Sequence, residues 1–289
     1  MKIIDPACGS GGFLIYSMER VWKKIESEWA SPLDALAEKL NFAQKNVFGT
    51  DYDERLARVA KAYMAIWGDG RAHVYPVPCG IKTFEWEGEV INQIKDGTFD
   101  ALLTNPPFAG DLNLHNIADR FDLGKKNGKE LNSQRKDILF IERALKLVKP
   151  AKPNEKSGLI AIVLPKGDLD EQEKKYVRDY ILENSIVLAV ISLHKLSFVP
   201  FTSQKTSLLI LKRVPKNKIP NDYDIFMAVS ERSGKNKSGE LIYVKDKDGN
   251  VILDEYGRPK VDTDLFDIAH EYVNKKPKIG YWVKRSQLV

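Results

Sequence analysis

The chain has 289 residues, of which 43% are hydrophobic and 29% charged, and this globular composition excludes disorder over most of its length. Its formal charge of +5 is compatible with a nucleic-acid partner but does not by itself indicate one. Two cysteines and four scattered histidines provide neither a disulfide framework nor a metal-ligand pattern, so we predict no metal site. The first residues lack a signal-peptide pattern and the longest apolar runs are too short to span a bilayer, which predicts a cytoplasmic protein with no membrane partner.

From Met1 to about Val214, short β-branched apolar runs alternate with segments of helical spacing. In chain order the pattern predicts a strand at Lys2–Asp5, a helix over Gly12–Trp29, a strand at Asn46–Asp51, a helix over Asp53–Trp67, a strand at Phe99–Thr104, a helix over Ile138–Val148, a strand at Gly158–Leu164, a helix over Asp170–Asn184, and strands at Ile186–Leu193 and Thr206–Lys212. This alternation predicts an α/β fold with a mostly parallel sheet covered by helices on both faces. No helix separates the last two strands, so the last strand should pair antiparallel.

The character of the sequence changes after Val214, so we predict one domain over residues 1–214 and a small irregular extension over residues 215–289. The elements predicted in the extension are a linker at Pro215–Pro220, a flexible surface excursion at Ser230–Gly239, a β-hairpin around Asp248-Gly249-Asn250 and a short helix over Asp264–Lys275. No internal repeat is evident.

A glycine-rich segment follows the first predicted strand and leads into the first predicted helix. It reads Asp5-Pro-Ala-Cys-Gly-Ser-Gly-Gly-Phe13. Ligands of open α/β sheets bind at the carboxyl ends of the strands, and the three glycines let the backbone approach such a ligand closely. A dinucleotide fingerprint would need a glycine in place of Leu14, and a P-loop would need Gly-Lys-Ser/Thr. Neither phosphate-binding interpretation fits the segment.

Two acidic residues end the first two predicted strands, Asp5 the first and Asp51 the second. A carboxylate at the end of the second strand is placed to accept hydrogen bonds from both ribose hydroxyls of an adenosine. A carboxylate at the start of the glycine-rich segment suits a cationic group. An adenosine with a positive charge and no phosphate describes S-adenosylmethionine. The alternative is a structural glycine turn with two solvated acids.

A second motif, Thr104-Asn-Pro-Pro-Phe108, follows the third of these strands at the same edge of the sheet. The side-chain oxygen of Asn105 and the carbonyl of Pro106 can both accept hydrogen bonds from one exocyclic amino group of a nucleobase. Such bonds favour a nitrogen lone pair directed at a methyl donor. Phe108 would then stack on a base that has left its duplex. The alternative is a rigid strand-to-loop turn, since Asn-Pro is a common turn signal.

Together, the two motifs make the chain resemble the N6-adenine DNA methyltransferases, and within them the modification subunit of type I restriction–modification systems. The resemblance continues through Ser157–Pro165, Phe198–Thr202 and Lys205–Leu211. It implies a Rossmann-like class I S-adenosylmethionine-dependent methyltransferase sheet, with residues 1–214 as catalytic core. It also implies methyl transfer from S-adenosylmethionine to adenine N6 by a site-specific, adenine-specific DNA methyltransferase.

The resemblance also assigns roles to individual residues. Asp5 and the glycine-rich segment would hold the methionine part of the cofactor, Asp51 its ribose, and Tyr52 would lie against its adenine. The implied cofactor-binding residues are Asp5, Pro6, Ala7, Cys8, Gly9, Ser10, Gly11, Gly12, Phe13, Asp51 and Tyr52. The implied catalytic residues are Asn105, Pro106, Pro107 and Phe108.

Further expectations concern DNA and partner proteins. Either Phe198 or Phe201 would close the far side of the target base. A basic loop contributes the residues expected to contact the DNA backbone, Lys125, Lys126, Lys129, Arg135 and Lys136, with a merely solvated loop as the alternative. The implied partners are double-stranded DNA, a specificity subunit and a restriction endonuclease subunit, all in a prokaryotic cytoplasm.

The sequence departs from the family pattern in two places. The family carries a helical N-terminal domain and a cofactor-contacting segment ahead of the glycine-rich loop, whereas this sequence begins four residues before Asp5. An acid that the family often has near the end of the third strand is replaced by Ile81-Lys82-Thr83-Phe84. Two alternatives therefore stay open: a catalytically silent fragment that binds cofactor or DNA, and a protein glutamine methyltransferase, whose usual aromatic residue is tyrosine where this chain has Phe108.

Overall fold

The computed structural model describes residues 1–68, 73–151 and 156–288. Its strands are β1 (Ile3–Asp5), β2 (Val47–Asp51), β3 (His73–Pro76), β4 (Ala101–Thr104), β5 (Asp111–Asn113), β6 (Lys125–Lys126), β7 (Lys129–Glu130), β8 (Ser133–Arg135), β9 (Leu159–Pro165), β10 (Ser185–Ser192), β11 (Thr206–Arg213), β12 (Asp224–Val229) and β13 (Tyr281–Lys284). Its α-helices are α1 (Gly12–Glu28), α2 (Pro32–Asn46), α3 (Glu54–Ile66), α4 (Glu89–Gln93), α5 (Lys136–Leu147), α6 (Gly167–Asp170), α7 (Lys175–Asn184) and α8 (Leu265–Asn274). Within the described ranges, no helix combines the length and apolar character that a membrane span requires.

The chain forms two compact units, each assembled from several stretches of sequence. The first unit comprises Met1–Ile162, Lys175–Ile186 and Leu211–Ile219. The second unit comprises Val163–Lys174, Val187–Ile210 and Pro220–Val289. The division into residues 1–214 and 215–289 stays a prediction.

A parallel sheet with the strand order β9-β4-β1-β2-β3 forms the centre of the first unit. Ile4 of β1 pairs with Phe48 of β2 on one side and with Leu102 of β4 on the other. The order is that of a Rossmann-type sheet, in which the chain first extends the sheet on one side of β1 and later on the other. The carboxyl ends of β1, β2 and β4 therefore meet at one edge, on both sides of this reversal.

Helices α1, α2 and α3 pack with β1 and β2 around one apolar core. The buried side chains on these helices include Leu14 and Met18 of α1, Phe42 of α2 and Met64 of α3. Helix α2 was not predicted from the sequence. The N-terminus of α2 has two features common at helix starts: Pro32 is its first residue, and the N-cap Ser31 Oγ accepts a hydrogen bond from Asp34 N at 3.3 Å.

Strand β12 lies between β10 and β13 in the second unit, parallel to β10 and antiparallel to β13. Phe226 of β12 packs against Tyr272 of α8 and Trp282 of β13. At the end of β10, Leu193 N donates a hydrogen bond to Thr206 O of β11 at 2.9 Å, as expected for an antiparallel pair. The predicted fold class is thus confirmed: an α/β chain with mostly parallel strands and an antiparallel final strand. Strands β12 and β13 themselves were not predicted.

Residues 233–263 of the second unit form a meander of bridged segments. Lys245 pairs with Val251, which confirms the predicted hairpin. The segment Ser230–Gly239 takes part in this meander, since Lys235 pairs with Leu241 and Ile242 N donates to Gly234 O at 2.8 Å. Its flexibility stays a prediction. The turns of the meander repeat one pattern, in which a side-chain oxygen accepts from the backbone N–H groups two and four positions later; the acceptors are Asn236, Asp246 and Asp254.

Candidate cofactor and base-binding site

The glycine-rich segment forms a tight loop between β1 and α1. Cys8 N donates to Thr50 O at 2.9 Å, which ties this loop to β2. Gly9 and Gly11 have φ angles of 53° and 87°, and a Cβ at Gly11 would also lie 3.1 Å from the Cβ of Ala60. Glycine at position 11 is therefore required both by the backbone conformation and by the close approach of α3. Cys8 is 6% exposed and is therefore buried in this loop.

Asp51, at the end of β2, connects the loop to the start of α3. Its Oδ2 accepts a hydrogen bond from Gly9 N at 2.7 Å, and its Oδ1 accepts one from Asp53 N at 2.9 Å. Each carboxylate oxygen has two acceptor positions, so one position on each oxygen remains for a ligand. Tyr52, the next residue, is 79% exposed.

Asp5 lies beneath this loop rather than on its surface. The side chain is 1% exposed, and its Oδ1 accepts hydrogen bonds from Ala7 N at 3.0 Å and from Thr104 Oγ1 at 2.7 Å. Burial raises the pKa of the carboxyl from its ordinary 3.8 to about 7, the two hydrogen bonds oppose the rise, and the charge of Asp51 adds to it. A cation near the loop would therefore favour ionisation of Asp5.

A cavity of about 530 Å³ opens at this edge of the sheet, within the first unit. Its lining residues are Pro6, Ala7, Gly9, Asp51, Tyr52, Asp53, Pro78, Cys79, Gly80, Ile81, Lys82, Glu85, Asn105, Pro107, Leu112, Lys136 and Phe140. The structure thus brings together members of both sequence motifs around one space. Cofactor-site candidates that do not line this space are Asp5 and Cys8 below the loop, and Ser10, Gly11, Gly12 and Phe13 toward α1.

Asn105, directly after β4, presents an unsatisfied polar atom at this cavity. Its Oδ1 is buried and accepts no hydrogen bond from any residue that the structure describes. A buried acceptor without a partner costs roughly 1–3 kcal/mol, so such an atom is expected where a ligand supplies the missing donor. Pro106 is buried and Pro107 lines the cavity.

The loop after Asn105 is fastened to the start of α5. Arg135 Nη2 donates to Phe108 O at 3.2 Å, and the Arg135 guanidinium also pairs with the buried carboxylate of Asp137. Lys136 N donates to Gly110 O at 3.2 Å. Phe108 is half-buried and does not line the cavity. These bonds hold the backbone at the end of the motif and just after it.

Several lining residues were missed by sequence analysis, because β3 is a four-residue strand with no clear apolar pattern. The turn after β3 contributes Gly80, where a Cβ would lie 2.8 Å from Pro6 O and 3.1 Å from Phe140 Cζ. Lys82 and Glu85 face the same cavity as an ion pair, with 2.7 Å between Nζ and Oε1. Glu85 thus supplies a carboxylate close to the segment where the family's acid was expected and not found.

The five residues predicted to contact the DNA backbone differ in exposure and in the groups that they contact. Lys125 and Lys129 are exposed on a two-stranded hairpin formed by β6 and β7, and Lys126 Nζ lies 5.5 Å from the centroid of the Tyr176 ring. Arg135 bonds to Asp137, as described above. Among the five residues, Lys136 alone lines the cavity.

The two aromatic residues predicted to contact the target base belong to the second unit. Phe201 N and Thr202 N both donate to Phe198 O, at 2.9 and 3.1 Å, which closes a short turn. Phe201 is 91% exposed, whereas Phe198 is half-buried. Their role at a base stays a prediction.

The arrangement around the cavity suits two ligands with different polar groups. The loop backbone and Asp51 offer acceptors for hydroxyl groups, and the buried carboxyl of Asp5 beneath the loop favours a positive charge nearby. Asn105 Oδ1 offers an acceptor for an N–H group at the same cavity. A hydroxyl-bearing cation and an amino-bearing second molecule therefore fit this edge of the sheet.

Comparison with known proteins identifies the family. The N-6 DNA methylase family model matches residues 1–273. The methylase subunit of the type I restriction enzyme MpnII from Mycoplasma pneumoniae is 27% identical over 225 residues, which are 75% of this chain and 37% of that protein. The restriction enzyme and methyltransferase RM.BcgI from Heyndrickxia coagulans is 23% identical over 199 residues, 68% of this chain and 25% of that protein.

Solved structures show the same fold. The methyltransferase subunit of a type I restriction–modification system from Streptococcus thermophilus superposes with a TM-score of 0.59 at 19% identity, over 98% of this chain and 50% of that one. The chain thus spans half or less of the length of these relatives. The family expected from the two motifs is confirmed by the match over residues 1–273, and the chain belongs to the N-6 DNA methylase family.

Proposed function

We propose that this chain is the catalytic core of an S-adenosylmethionine-dependent DNA methyltransferase that modifies adenine N6, acting within the modification subunit of a type I restriction–modification system. The main support is the buried, unsatisfied Oδ1 of Asn105 at a cavity that the glycine-rich loop and Asp51 also line. The relatives named above are methylases of restriction enzymes, which agrees with this activity.

The cavity fits S-adenosylmethionine in size and in chemistry. Its volume of about 530 Å³ lies within the range of ~300–1,000 Å³ common for small-molecule sites. The free acceptor positions of Asp51 would bind the two ribose hydroxyls, and Tyr52 would lie against the adenine ring. Asp5, below the loop, would favour the cationic methionine end. The bound cofactor supplies an electrophilic methyl group.

Asn105 and Pro106 would bind the target adenine through its 6-amino group. The amide oxygen of Asn105 accepts one N–H bond and the Pro106 carbonyl the other, so the nitrogen lone pair is directed away from the protein toward the methyl donor. Phe108 would stack on the base, as the motif predicts. Catalysis then results from positioning and from acceptors that are ordered before the base arrives, without a strong general base.

DNA and the partner subunits complete the proposal. Lys136, beside the cavity, and the exposed Lys125 and Lys129 would contact phosphates of a duplex from which the adenine has been flipped. A specificity subunit would choose the sequence and a restriction endonuclease subunit would cleave unmodified DNA. The protein would act in a prokaryotic cytoplasm.

The test is replacement of the orphaned acceptor. Asn105→Ala should leave S-adenosylmethionine affinity unchanged in calorimetric titration while lowering tritium transfer to DNA adenine by at least ~100-fold, as for loss of one preorganised polar partner. Asn92→Ala, an exposed asparagine on α4, is the matched control. Transfer should be measured on the protein in its native assembly. Undiminished transfer by Asn105→Ala contradicts the mechanism, and cofactor binding without transfer by the unaltered protein would favour a catalytically silent binding protein.

A further inference from the structure

A second cavity lies within the first unit, between the segment that follows β3 and helix α5, and its volume is about 110 Å³. Ile81 lines both this cavity and the cofactor cavity. The space is too small for a nucleoside or a cofactor, whose sites commonly occupy ~300–1,000 Å³, but it has room for one small ionic group. Half of its lining residues are charged, namely Asp96, Arg120, Glu142, Arg143 and Lys146.

Arg143, on α5, is a buried cation with a missing hydrogen-bond partner. The residue is 5% exposed, and its Nη1 donates to Asp96 Oδ1 at 2.6 Å. Its Nε is also buried and has no acceptor among the residues that the structure describes. Burial lowers the pKa of the guanidinium, and the carboxylates of Asp96 and Glu142 offset this effect only in part. A buried charged donor without an acceptor is costly, so this atom indicates a place for an added acceptor.

The geometry of the Arg143 guanidinium defines what that acceptor is. Because Nη1 is bonded to Asp96, the edge formed by Nε and Nη2 remains. Two parallel N–H groups on this edge match two oxygens of a phosphate or a carboxylate. The guanidinium carbon Cζ lies 5.6 Å from the centroid of the Trp86 ring, and this cation–π contact helps to hold the group in place.

Both carboxylates at the cavity are already bound to other groups. Glu142 pairs with Lys146 and also accepts a hydrogen bond from Leu123 N at 2.8 Å. Asp96 pairs with Arg143 through Nη1. Neither carboxylate therefore supplies the acceptor that Arg143 Nε lacks, and an incoming ligand has to bring its own.

Arg120 adds a cation that is not neutralised. Its Cζ lies 4.3 Å from the centroid of the Phe84 ring, and it forms no ion pair with a carboxylate in the part of the chain that the structure describes. The three cations at the cavity thus exceed its two carboxylates by one, which favours an anionic ligand. Two guanidinium groups beside a space for one small group are typical of a phosphate site.

We propose that this second cavity binds a phosphate group, through the Nε–Nη2 edge of Arg143 and the guanidinium of Arg120. The phosphate belongs either to free inorganic phosphate or to the backbone of DNA, which offer the same oxygens. The site is distinct from the cofactor cavity, and its occupation does not depend on the methylation reaction.

Nuclear magnetic resonance of the arginine Nε–H groups tests the site directly. Inorganic phosphate added at constant ionic strength should shift the Arg143 signal saturably, and sulfate should act in the same way. The signal is assigned by its absence in Arg143→Lys. An equal shift with chloride at the same ionic strength overturns the proposal, because the effect is then one of salt alone.

Calorimetric titration with inorganic phosphate compares the variants. Arg143→Lys keeps a positive charge for Asp96 but removes the fork, and should lower the phosphate affinity at least about tenfold, as for loss of a hydrogen bond to a charged group. Arg120→Gln, at an exposed position that leaves the core intact, should lower it several-fold. Arg58→Gln, on the exposed face of α3, is the matched control and should change nothing. Unchanged affinity in Arg120→Gln overturns the proposal even if Arg143→Lys fails to fold.

A titration with duplex DNA distinguishes the two sources of the phosphate. If the DNA backbone occupies the site, the duplex shifts the Arg143 Nε–H signal and inorganic phosphate competes with it. Arg120→Gln then lowers the slope of the logarithm of DNA affinity against the logarithm of salt concentration by about one. If the ligand is free phosphate, the duplex leaves the signal unchanged while phosphate still shifts it. If neither ligand shifts the signal, the proposal is wrong.

Discussion

Thr104 Oγ1 donates a hydrogen bond to Asp5 Oδ1 at 2.7 Å, and both side chains are buried. Thr104 ends β4 and directly precedes Asn105, whereas Asp5 ends β1 and begins the glycine-rich loop. The bond therefore joins the segment proposed to bind the target base to the segment proposed to bind the cofactor. Loss or gain of charge on Asp5 is therefore expected to affect both the binding of the cofactor and the binding of the target base.

Asp5→Asn should stabilise the folded chain at neutral and alkaline pH. Because the pKa of Asp5 is raised from 3.8 to about 7 on folding, its contribution to stability is complete below about pH 4 and is lost as the pH rises to about 7. The neutral amide keeps an oxygen for the bonds from Thr104 and Ala7 without the cost of burying a charge. Above pH 7 the free energy of unfolding of Asp5→Asn should exceed that of the unaltered chain by on the order of 4 kcal/mol. This follows from the rise of the Asp5 pKa from 3.8 to about 7, at about 1.4 kcal/mol per pKa unit.

Urea denaturation at pH 4 and pH 8 measures this effect, with Asp34→Asn on the exposed start of α2 as control. The two stability curves should converge at the acid end. Calorimetry should show the opposite sign for ligand binding: Asp5→Asn weakens S-adenosylmethionine binding, because the positive charge of the cofactor loses a nearby carboxylate. An Asn variant that binds the cofactor as tightly as the unaltered chain would remove Asp5 from the site.

Asp51→Ala should weaken S-adenosylmethionine binding by roughly 2–4 kcal/mol, because the ribose hydroxyls lose charge-assisted hydrogen bonds. The affinity of Asp51→Asn for S-adenosylmethionine should lie between those of the unaltered chain and Asp51→Ala, since asparagine keeps an acceptor oxygen but loses the charge. Isothermal titration calorimetry gives the affinities, and amide exchange at Gly9 reports whether the loop stays closed when its 2.7 Å bond to Oδ2 is removed. Equal affinities for all three proteins would exclude Asp51 as the ribose ligand.

The sequence predicted the parts of the site that depend on local pattern. The glycines of the loop, Asp51 and Asn105 all lie at or just after the ends of strands with clear apolar runs, so their common edge could be inferred from the sequence. Three other features depend on contacts between distant residues. The Thr104–Asp5 bond joins residues 99 positions apart, and β13 becomes a strand by pairing with Asp224–Met227 of β12. The position of Glu85 at the cavity follows from the unpredicted strand β3.

Phe108→Ala should reduce capture of the target base, whereas Phe108→Tyr should be tolerated because an aromatic ring remains for stacking. The expected cost of the alanine variant is about 1–3 kcal/mol, the usual contribution of one base stacked on an aromatic side chain. It should appear as a higher KM for DNA in tritium-transfer assays, with cofactor affinity unchanged. A loss of cofactor affinity in Phe108→Ala would place this ring against the cofactor instead.

The isolated chain should bind duplex DNA weakly and without sequence preference. Nothing in the sequence resembles a recognition helix or zinc finger, and a net charge of +5 spread over 289 residues supports only non-specific affinity, typically ~10⁻⁴–10⁻⁶ M at physiological salt. Fluorescence anisotropy on random and candidate duplexes across a salt series measures the affinity for DNA. It also measures the slope of the logarithm of that affinity against the logarithm of the salt concentration. Lys136→Gln should lower the slope by about one, as for one lost phosphate contact.

Specific methylation should then appear only when a specificity subunit is added, because sequence choice must come from a part of the assembly that reads base edges. The comparison is between tritium transfer to duplexes with and without a candidate target, in the presence and absence of that subunit. Nanomolar, sequence-selective binding by this chain alone would contradict the division of labour between subunits. In that case the chain itself would contain the sequence-reading surface, and Lys125, Lys129 and Lys136 would be the first residues to substitute in locating it.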